Sequence, residues 1–356
     1  MKKTFNYSFL KHDYLPSSIV NYVGIIERYR ANSKLDQNNY PVAFKELEKI
    51  SKINSVTSSN AIEGIYSTKE RISSIVKRIS TPLSHSEQEI AGYRDALDIV
   101  HEHYGEVPIT EDAIKELHSI LMAPSLTAGA GEYKTDDNIV AEEHADGTRA
   151  VVFNPPSAED TPELMKQLLV AFMDANQDSS INKLLLIPCF VLDYLCIHPF
   201  TDGNGRISRL LTLLLLYKND YCIGKYISIE QKIQDSVDEY YASIKKCSDV
   251  WYQERPDYVP FIEYLLKVIS ESYIDLEKRF NSKGLAKLSK ADRIRRTVLE
   301  SMISVSKADI CERNPDISPT TIEAELAKML KEDIIKKIGK GRSTRYIKGG
   351  DSKGVV

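Results

Sequence analysis

Two apolar segments, residues 184–197 and 207–217, flank a short polar stretch, and no other feature constrains the fold as strongly. Each is long enough to be a buried helix once a loop is allowed between them. The loop, residues 198–209, reads His-Pro-Phe-Thr-Asp-Gly-Asn-Gly-Arg-Ile-Ser-Arg. Gly203, Asn204 and Gly205 all tolerate positive φ. Their N–H groups are therefore expected to turn inward as a nest at the start of the second helix, a place that holds anions and phosphate above all. Arg206 and Arg209, three apart, share a helix face from which two guanidinium forks can grip a polyphosphate. Asp202, at the rim, is a hard oxygen ligand suited to magnesium. His198 carries the side chain whose pKa best suits taking a proton from a hydroxyl near neutral pH. Phe200, between polar residues, is expected to enter the core and pin the loop. Together these groups suit the transfer of a phosphate-containing group to a hydroxyl.

Other readings of the stretch are weaker. A lone His-Pro or Gly-Asn-Gly is usually a turn. The run 203–208 lacks the third glycine of a dinucleotide fingerprint, no Gly-Lys-Ser/Thr follows for a P-loop, and the acidic spacing of a calcium loop is missing.

As a whole, His-Pro-Phe-x-Asp-Gly-Asn-Gly-Arg-x-x-Arg resembles the signature of the Fic family at every fixed position. The resemblance implies that His198 is the base and Phe200 the structural anchor. It implies that Asp202 binds Mg2+, that Gly203, Asn204, Gly205 and Arg206 hold the α- and β-phosphates, and that Arg209 holds the γ-phosphate. Ile207 and Ser208 belong to the same ATP-binding segment. Family members transfer AMP from ATP to a Ser, Thr or Tyr hydroxyl of a protein and release pyrophosphate. The related Doc kinases carry Lys where this chain has Gly205, so the glycine favours AMP transfer.

Residues 58–64 read Ser-Ser-Asn-Ala-Ile-Glu-Gly. Ser58 to Asn60 are cap-type residues and Gly64 is a stop, which predicts a helix end with an exposed Glu63. Read alone, Glu63 is a solvated glutamate. Yet Ser59, Glu63 and Gly64 are similar to the inhibitory motif Ser/Thr-x-x-x-Glu-Gly/Asn of Fic proteins. That similarity implies a bidentate ion pair from Glu63 to Arg209 in the γ-phosphate's place. In some relatives the same glutamate supports removal of AMP, which the sequence leaves open here.

The first 85 residues read as a helical region, with Ile19, Val23, Ile26 and Arg30 on one stripe and a second helix over 43–53. Residues 86–104 begin with a capping pattern, and Thr110 opens another helix in which His118 reads as a hydrogen-bonded core histidine. Segments 138–141 and 149–153 are expected strands, with Asp146-Gly147 as their turn. This hairpin resembles the Fic flap, so residues 138–153 would dock a protein substrate by strand addition. A helix follows over 162–177, and another over 226–245. The latter contains Tyr240, which resembles the family's adenine-side aromatic although aromatics are more often core. Trp251 and residues 258–269 close the core, giving a Fic core over 86–280.

Residues 281–290 read as a linker, and beyond it the composition turns basic. Residues 291–349 spell three helices and a hairpin with a Gly/Lys/Arg tip, which resembles a winged helix whose third helix carries Thr320, Thr321 and Glu323. Either DNA or a protein partner, including a second copy, fits such a module. Glu323 and Glu325 on that helix argue against strong DNA binding. Residues 350–356 read as a tail.

The expected fold class is mainly α: a helical Fic core with a small β-hairpin flap, plus a C-terminal winged-helix domain. The expected activity is protein adenylyl transfer, self-inhibited by Glu63. Alternatives are a DNA-binding regulator with a nucleotide-sensing core, against which the intact His198 speaks, and a Fic enzyme using another donor, such as one of phosphocholine, or removing AMP. A net charge of -4 over 356 residues gives no whole-chain attraction to nucleic acid or anionic membranes. The five cysteines, scattered without a C-x-x-C pair, suit a reducing cytoplasm. No signal peptide is expected at 1–10, and no apolar run is long enough for a bilayer.

Overall fold

The computed structural model describes residues 3–12, 15–126, 129–143, 149–282, 289–299, 301, 304–339, 341 and 344–349. It divides into two compact units, Met1–Lys34 with Val42–Ser282, and Leu35–Pro41 with Lys283–Val356.

Among the described residues the first unit is helical apart from one hairpin. Its elements are α1 (Ser17–Asn39, which runs on past Lys34), α2 (Pro41–Ile62), α3 (Lys69–Val76), α4 (His85–His103), α5 (Glu111–Met122), β1 (Val140–Glu143), β2 (Arg149–Phe153), α6 (Thr161–Gln177), α7 (Lys183–Ile197), α8 (Asn204–Lys218), α9 (Ile229–Asp235), α10 (Val237–Ser248) and α11 (Val259–Ser282). A helix that is apolar all round must be enclosed all round. Accordingly α7 packs on α6, α8, α10 and α11, and Leu186, Phe190, Tyr194 and Ile197 are fully buried in it. Its one acid, Asp193, is buried too, and its carboxylate accepts from Tyr7 Oη at 2.7 Å, Trp251 Nε1 at 2.6 Å and Tyr258 Oη at 3.0 Å. Three donors satisfy a group that would otherwise be costly to enclose.

Several helix boundaries differ from those read in the sequence. The predicted helix over 43–53 continues to Ile62, so Ser58, Ser59 and Asn60 lie buried inside α2 and do not cap it. The cap of α4 is Ser84, whose hydroxyl accepts from Glu87 N at 3.3 Å, two residues before the expected start. The single helix expected over 226–245 is broken at Ser236 into α9 and α10. The hairpin pairs β1 with β2 antiparallel, Ala141 opposite Val151 and Glu142 opposite Ala150. Its expected turn, Asp146-Gly147, lies outside the described residues.

The second unit contains α12 (Lys290–Leu299), β3 (Val305–Ser306), α13 (Lys307–Arg313), α14 (Pro319–Lys331), β4 (Ile335–Ile338) and β5 (Arg345–Lys348). The three strands form an antiparallel sheet in the order β3-β5-β4. Ile294, Val298, Ile310, Ile322, Leu326 and Met329 fill its own core. Ser306 and Asp309 form a capping box at α13, and the Ser318 hydroxyl accepts from Thr321 N at the start of α14. Two-residue β3 is too short for any alternating pattern to announce it. Glu325 is buried and paired with Arg295 Nε at 2.5 Å, so it does not belong to an exposed reading face as the sequence suggested. Glu323 pairs with Lys307. Residues 283–288 of the expected linker, tip residues 340, 342 and 343, and the tail 350–356 lie outside the described residues. Among the described residues no helix is long and apolar enough to cross a membrane.

Candidate active site

The loop between α7 and α8 brings the expected residues together. His198 ends α7 in the left-handed region, φ 50°, a conformation that a non-glycine residue holds only when its surroundings fix it. Its Nδ1–H donates to the Leu195 carbonyl at 3.3 Å, since a carbonyl can only accept. That leaves Nε2 with its lone pair free, the tautomer a general base requires. Burial pulls the imidazole down to about 4, helped by the Lys134 cation and opposed by the Leu195 hydrogen bond and the Glu63 and Asp202 carboxylates. The ring is therefore neutral at physiological pH.

Phe200 is fully buried and stacks on His118, with ring centroids 3.8 Å apart and planes within 2°. His118 Nδ1 accepts from Gly131 N at 2.9 Å and its Nε2–H donates to the Asp202 carbonyl at 3.1 Å. Both ring nitrogens are satisfied, so His118 is a strut under the loop.

The loop's own geometry corrects part of the nest expected from sequence. Only Gly203 has positive φ, 77°, while Asn204 and Gly205 are already in the first turn of α8. Asn204 acts through its side chain: Oδ1 accepts from Phe200 N at 2.9 Å and Nδ2 donates to the Phe200 carbonyl at 2.7 Å. The amides left without a helical acceptor are thus those of the α8 N-terminus, at Asn204, Gly205 and Arg206, where an anion would be favoured. Gly205 is not called for by φ, and a Cβ there would lie 2.3 Å from Glu63 Oε1, so that the glutamate side chain would have to swing away. Ile207 is fully buried, and the Ser208 hydroxyl donates to the Gly205 carbonyl at 2.7 Å, so both side chains are spent on the core.

The two arginines are buried and separately partnered. Arg206 Nη1 meets Glu89 Oε2 at 2.7 Å and Nη2 meets Asp202 Oδ2 at 3.1 Å, while its buried Nε has no partner. Glu89, on α4, carried no signal of this in the sequence. Arg209 Nε donates to Ser59 Oγ and Nη2 to the Ser59 carbonyl, each at 2.8 Å, and Nη2 also reaches Glu63 Oε1 at 2.8 Å. The ion pair is therefore single-point and not bidentate as expected, with Ser59 taking Nε and sharing Nη2 with Glu63. Burial works against the Arg209 charge, and the facing Glu63 with Tyr240 and Tyr93 more than offsets it, leaving its pKa raised. Gly64, φ 76°, turns the chain away just after Glu63. Tyr240 is buried among Tyr241, Phe261 and Tyr264 and reaches Ser208 and Arg209, whereas Tyr241 is half exposed.

Asp202 is the one exposed carboxylate of the loop, with 62% of its side chain accessible. No group of three or more His, Cys, Asp or Glu is gathered as a metal cage among the described residues. One carboxylate still fits Mg2+, which commonly takes one or two protein carboxylates and completes its shell with substrate phosphates and water.

The contact between Glu63 and Gly205 predicts the outcome of a substitution. Gly205→Ala is expected to force the Glu63 carboxylate off Arg209, lowering Tm by about 2–8 °C for roughly 1–2 kcal/mol lost. In a Glu63→Gly background the same change should be neutral or stabilising, since alanine favours the helix. Equal losses in both backgrounds, read by thermal denaturation, would refute the contact.

Residues 108–216 match the Fic/DOC family. Among curated proteins, the chain is 31% identical over 172 residues to "Protein adenylyltransferase Fic" of Nematostella vectensis, covering 45% of this chain and 36% of that one. It is 26% identical over 159 residues to "Protein adenylyltransferase fic-1" of Caenorhabditis elegans, covering 45% and 27%. The matches thus span about a third of those relatives' lengths. In fold, it is similar to a Fic family protein from Desulfovibrio desulfuricans G20, with TM-score 0.62, 20% identity, and 96% of this chain and 99% of that one covered. It is also similar to residues 134–508 of Fic-1 from C. elegans, with TM-score 0.56, 19% identity and coverage of 74% and 72%.

Proposed function

We propose that the chain, whose residues 108–216 match the Fic/DOC family, transfers AMP from ATP to a Ser, Thr or Tyr hydroxyl of a protein, and that Glu63 restrains the transfer. The single observation that carries this reading is a neutral imidazole at 198, Nε2 free, beside a helix N-terminus whose amides and arginines suit phosphate. Two further features support it. The buried, unpartnered Nε of Arg206 is a donor that a phosphate oxygen satisfies. The curated relatives carry the name adenylyltransferase.

In this reading ATP lies along the α8 N-terminus. The amides of Asn204, Gly205 and Arg206 hold the α- and β-phosphates, and Arg209 takes the γ-phosphate once Glu63 has moved. Asp202 would hold Mg2+, which would supply charge neutralisation. The substrate hydroxyl oxygen attacks the α-phosphorus, the bond to the β-phosphate oxygen breaks, and pyrophosphate leaves. The hydroxyl proton passes to His198 Nε2. The protein substrate aligns along the 140–153 hairpin by main-chain pairing. Tyr240 closes the nucleotide side behind Arg209.

Mass spectrometry of the protein incubated with ATP and magnesium tests this. An adduct of AMP mass on Glu63→Gly, absent from Glu63→Gly/His198→Ala, is the expected result. An adduct of phosphate mass, or none, would reject it.

The second unit reads as a winged helix, from its three helices and β3-β5-β4 sheet. With Glu325 paired inside the unit, one of the two acids counted against DNA is removed. A labelled duplex separates the DNA and protein-partner readings: binding that weakens about tenfold or more from 50 to 200 mM salt, as counterions are released, marks phosphate contact. Affinity that holds level with salt would leave protein contact as the role of this unit.

A further inference from the structure

Four consecutive carbonyls of the base-bearing turn, Ile197 to Phe200, each accept from Lys134 or Asn138, and the Phe200 carbonyl accepts from Asn204 Nδ2 as well. Lys134 Nζ donates to the Ile197 carbonyl at 3.3 Å, and Asn138 Nδ2 to the His198 carbonyl at 3.3 Å. Lys134 N donates to the Pro199 carbonyl at 2.9 Å, and Asn138 Nδ2 to the Phe200 carbonyl at 3.1 Å. The two residues are also tied to each other, Lys134 Nζ donating to Asn138 Oδ1 at 2.8 Å. The remaining bond of Lys134 Nζ goes to the Pro156 carbonyl at 2.8 Å. Asn138 lies just before β1 and Pro156 just after β2, so this one ammonium joins both stems of the hairpin to the turn.

We propose that Lys134, acting with Asn138, is the positioning residue of the reaction: it templates the left-handed turn that aims His198 and couples that turn to the hairpin on which the protein substrate aligns. This rests on the adenylyl-transfer reading for its consequence in rate, but not for its geometry. Lys134 is only 4% exposed, a buried ammonium whose three acceptors are an amide and two carbonyl oxygens. Enclosing a cation among neutral acceptors is unfavourable, and burial pulls its pKa down to about 8. A residue that merely filled space there would have no need of the charge. The carbonyls of a helix C-terminus are where a cation is best placed, and α7 ends at Ile197. The same cation faces the His198 ring, together with Glu63 and Asp202. It therefore helps keep the imidazole neutral as well as oriented.

The test uses the full chain in the Glu63→Gly background, with Lys134→Met, Lys134→Arg and Asn138→Ala. AMP transfer is measured at varied ATP, and the His198 imidazole is titrated by NMR in each folded variant. Lys134→Met is expected to lower kcat roughly 10- to 100-fold, the range of a small misplacement of a catalytic group, with KM for ATP held within about twofold. His198 should then titrate at higher pH, the cation being gone. Lys134→Arg should recover part of kcat and return the titration toward the parent. Asn138→Ala, which keeps the cation, should lower kcat with the titration unmoved, and it carries the test if Lys134→Met fails to fold. A folded Lys134→Met whose kcat and His198 titration both match the parent overturns the proposal, as does Asn138→Ala with parental kcat. If the Glu63→Gly parent itself transfers no AMP, the transfer reading fails. The positioning claim is then judged by the His198 titration alone, and an unmoved titration in Lys134→Met overturns it.

Discussion

Glu63→Gly is expected to raise the rate of AMP transfer from ATP roughly 10- to 100-fold, measured with radiolabelled ATP. The size follows from one hydrogen bond to a charged group, about 1.5–3 kcal/mol, at about 1.4 kcal/mol per tenfold in rate. The carboxylate holds Arg209 Nη2 at 2.8 Å and lies directly over Gly205. In the proposed reading a γ-phosphate uses that same guanidinium and passes over that same glycine, so carboxylate and phosphate would compete for one seat and repel one another. Arg209 is buried, whereas the Glu63 side chain is 32% exposed. The pair is thus anchored on the arginine side and open on the glutamate side, an arrangement that holds the seat without locking it. Glu63→Gln, which keeps a hydrogen-bond acceptor but no charge, should fall between the parent and Glu63→Gly. A rate in Glu63→Gly no higher than in the unaltered chain would end the case for a brake.

The restraint on Arg209 spans 146 residues of sequence, which explains why the chain alone disclosed so little of it. The loop at 198–209 was legible because its chemistry is contiguous: a base, a carboxylate, glycines and arginines in one short run have few other uses. Glu63 was legible only by resemblance, since a glutamate before a glycine at a helix end is an ordinary thing. Glu89, Lys134 and Asn138 had no signal, because their partners are chosen by tertiary packing.

Ser84 and Ser86 show the same limit at a helix start. Each stands three residues before a glutamate, so two capping registers compete in the sequence. The structure uses Ser84 with Glu87, which leaves Glu89 inside α4 where it meets Arg206. The glycines of the loop show it differently. Composition suggested a run of positive φ at 203–205, yet only Gly203 takes it. At Gly205 the Glu63 carboxylate, just past the end of α2, sits where a Cβ would go, and no local pattern carries that information. The apolar segments, by contrast, were read correctly as helices, because enclosure on every side leaves a plain mark in composition.

His198→Ala in the Glu63→Gly background is expected to lower kcat about 10²- to 10⁴-fold, the usual contribution of a positioned base, while KM for ATP changes little. The pH profile separates a base from a structural histidine. An ordinary imidazole is half protonated near 6.5, whereas burial brings this one to about 4. The reactive form is neutral, so lowering the pKa keeps His198 competent further into acid. With the Lys134 ammonium protonated below about 8, the rate of Glu63→Gly should therefore stay level from about pH 7 down to about 5 and fall only as pH approaches 4. Because the Glu63 carboxylate raises the His198 pKa, its removal can shift the acid limb lower and not higher. The same depression makes the fold lose stability as pH drops from about 6.5 toward 4, since the unfolded chain binds a proton that the folded ring refuses. Circular dichroism at each pH keeps that loss apart from loss of the base. An acid limb near 6.5 with the fold intact, or a His198→Ala rate within about threefold of the parent, would remove His198 from the reaction.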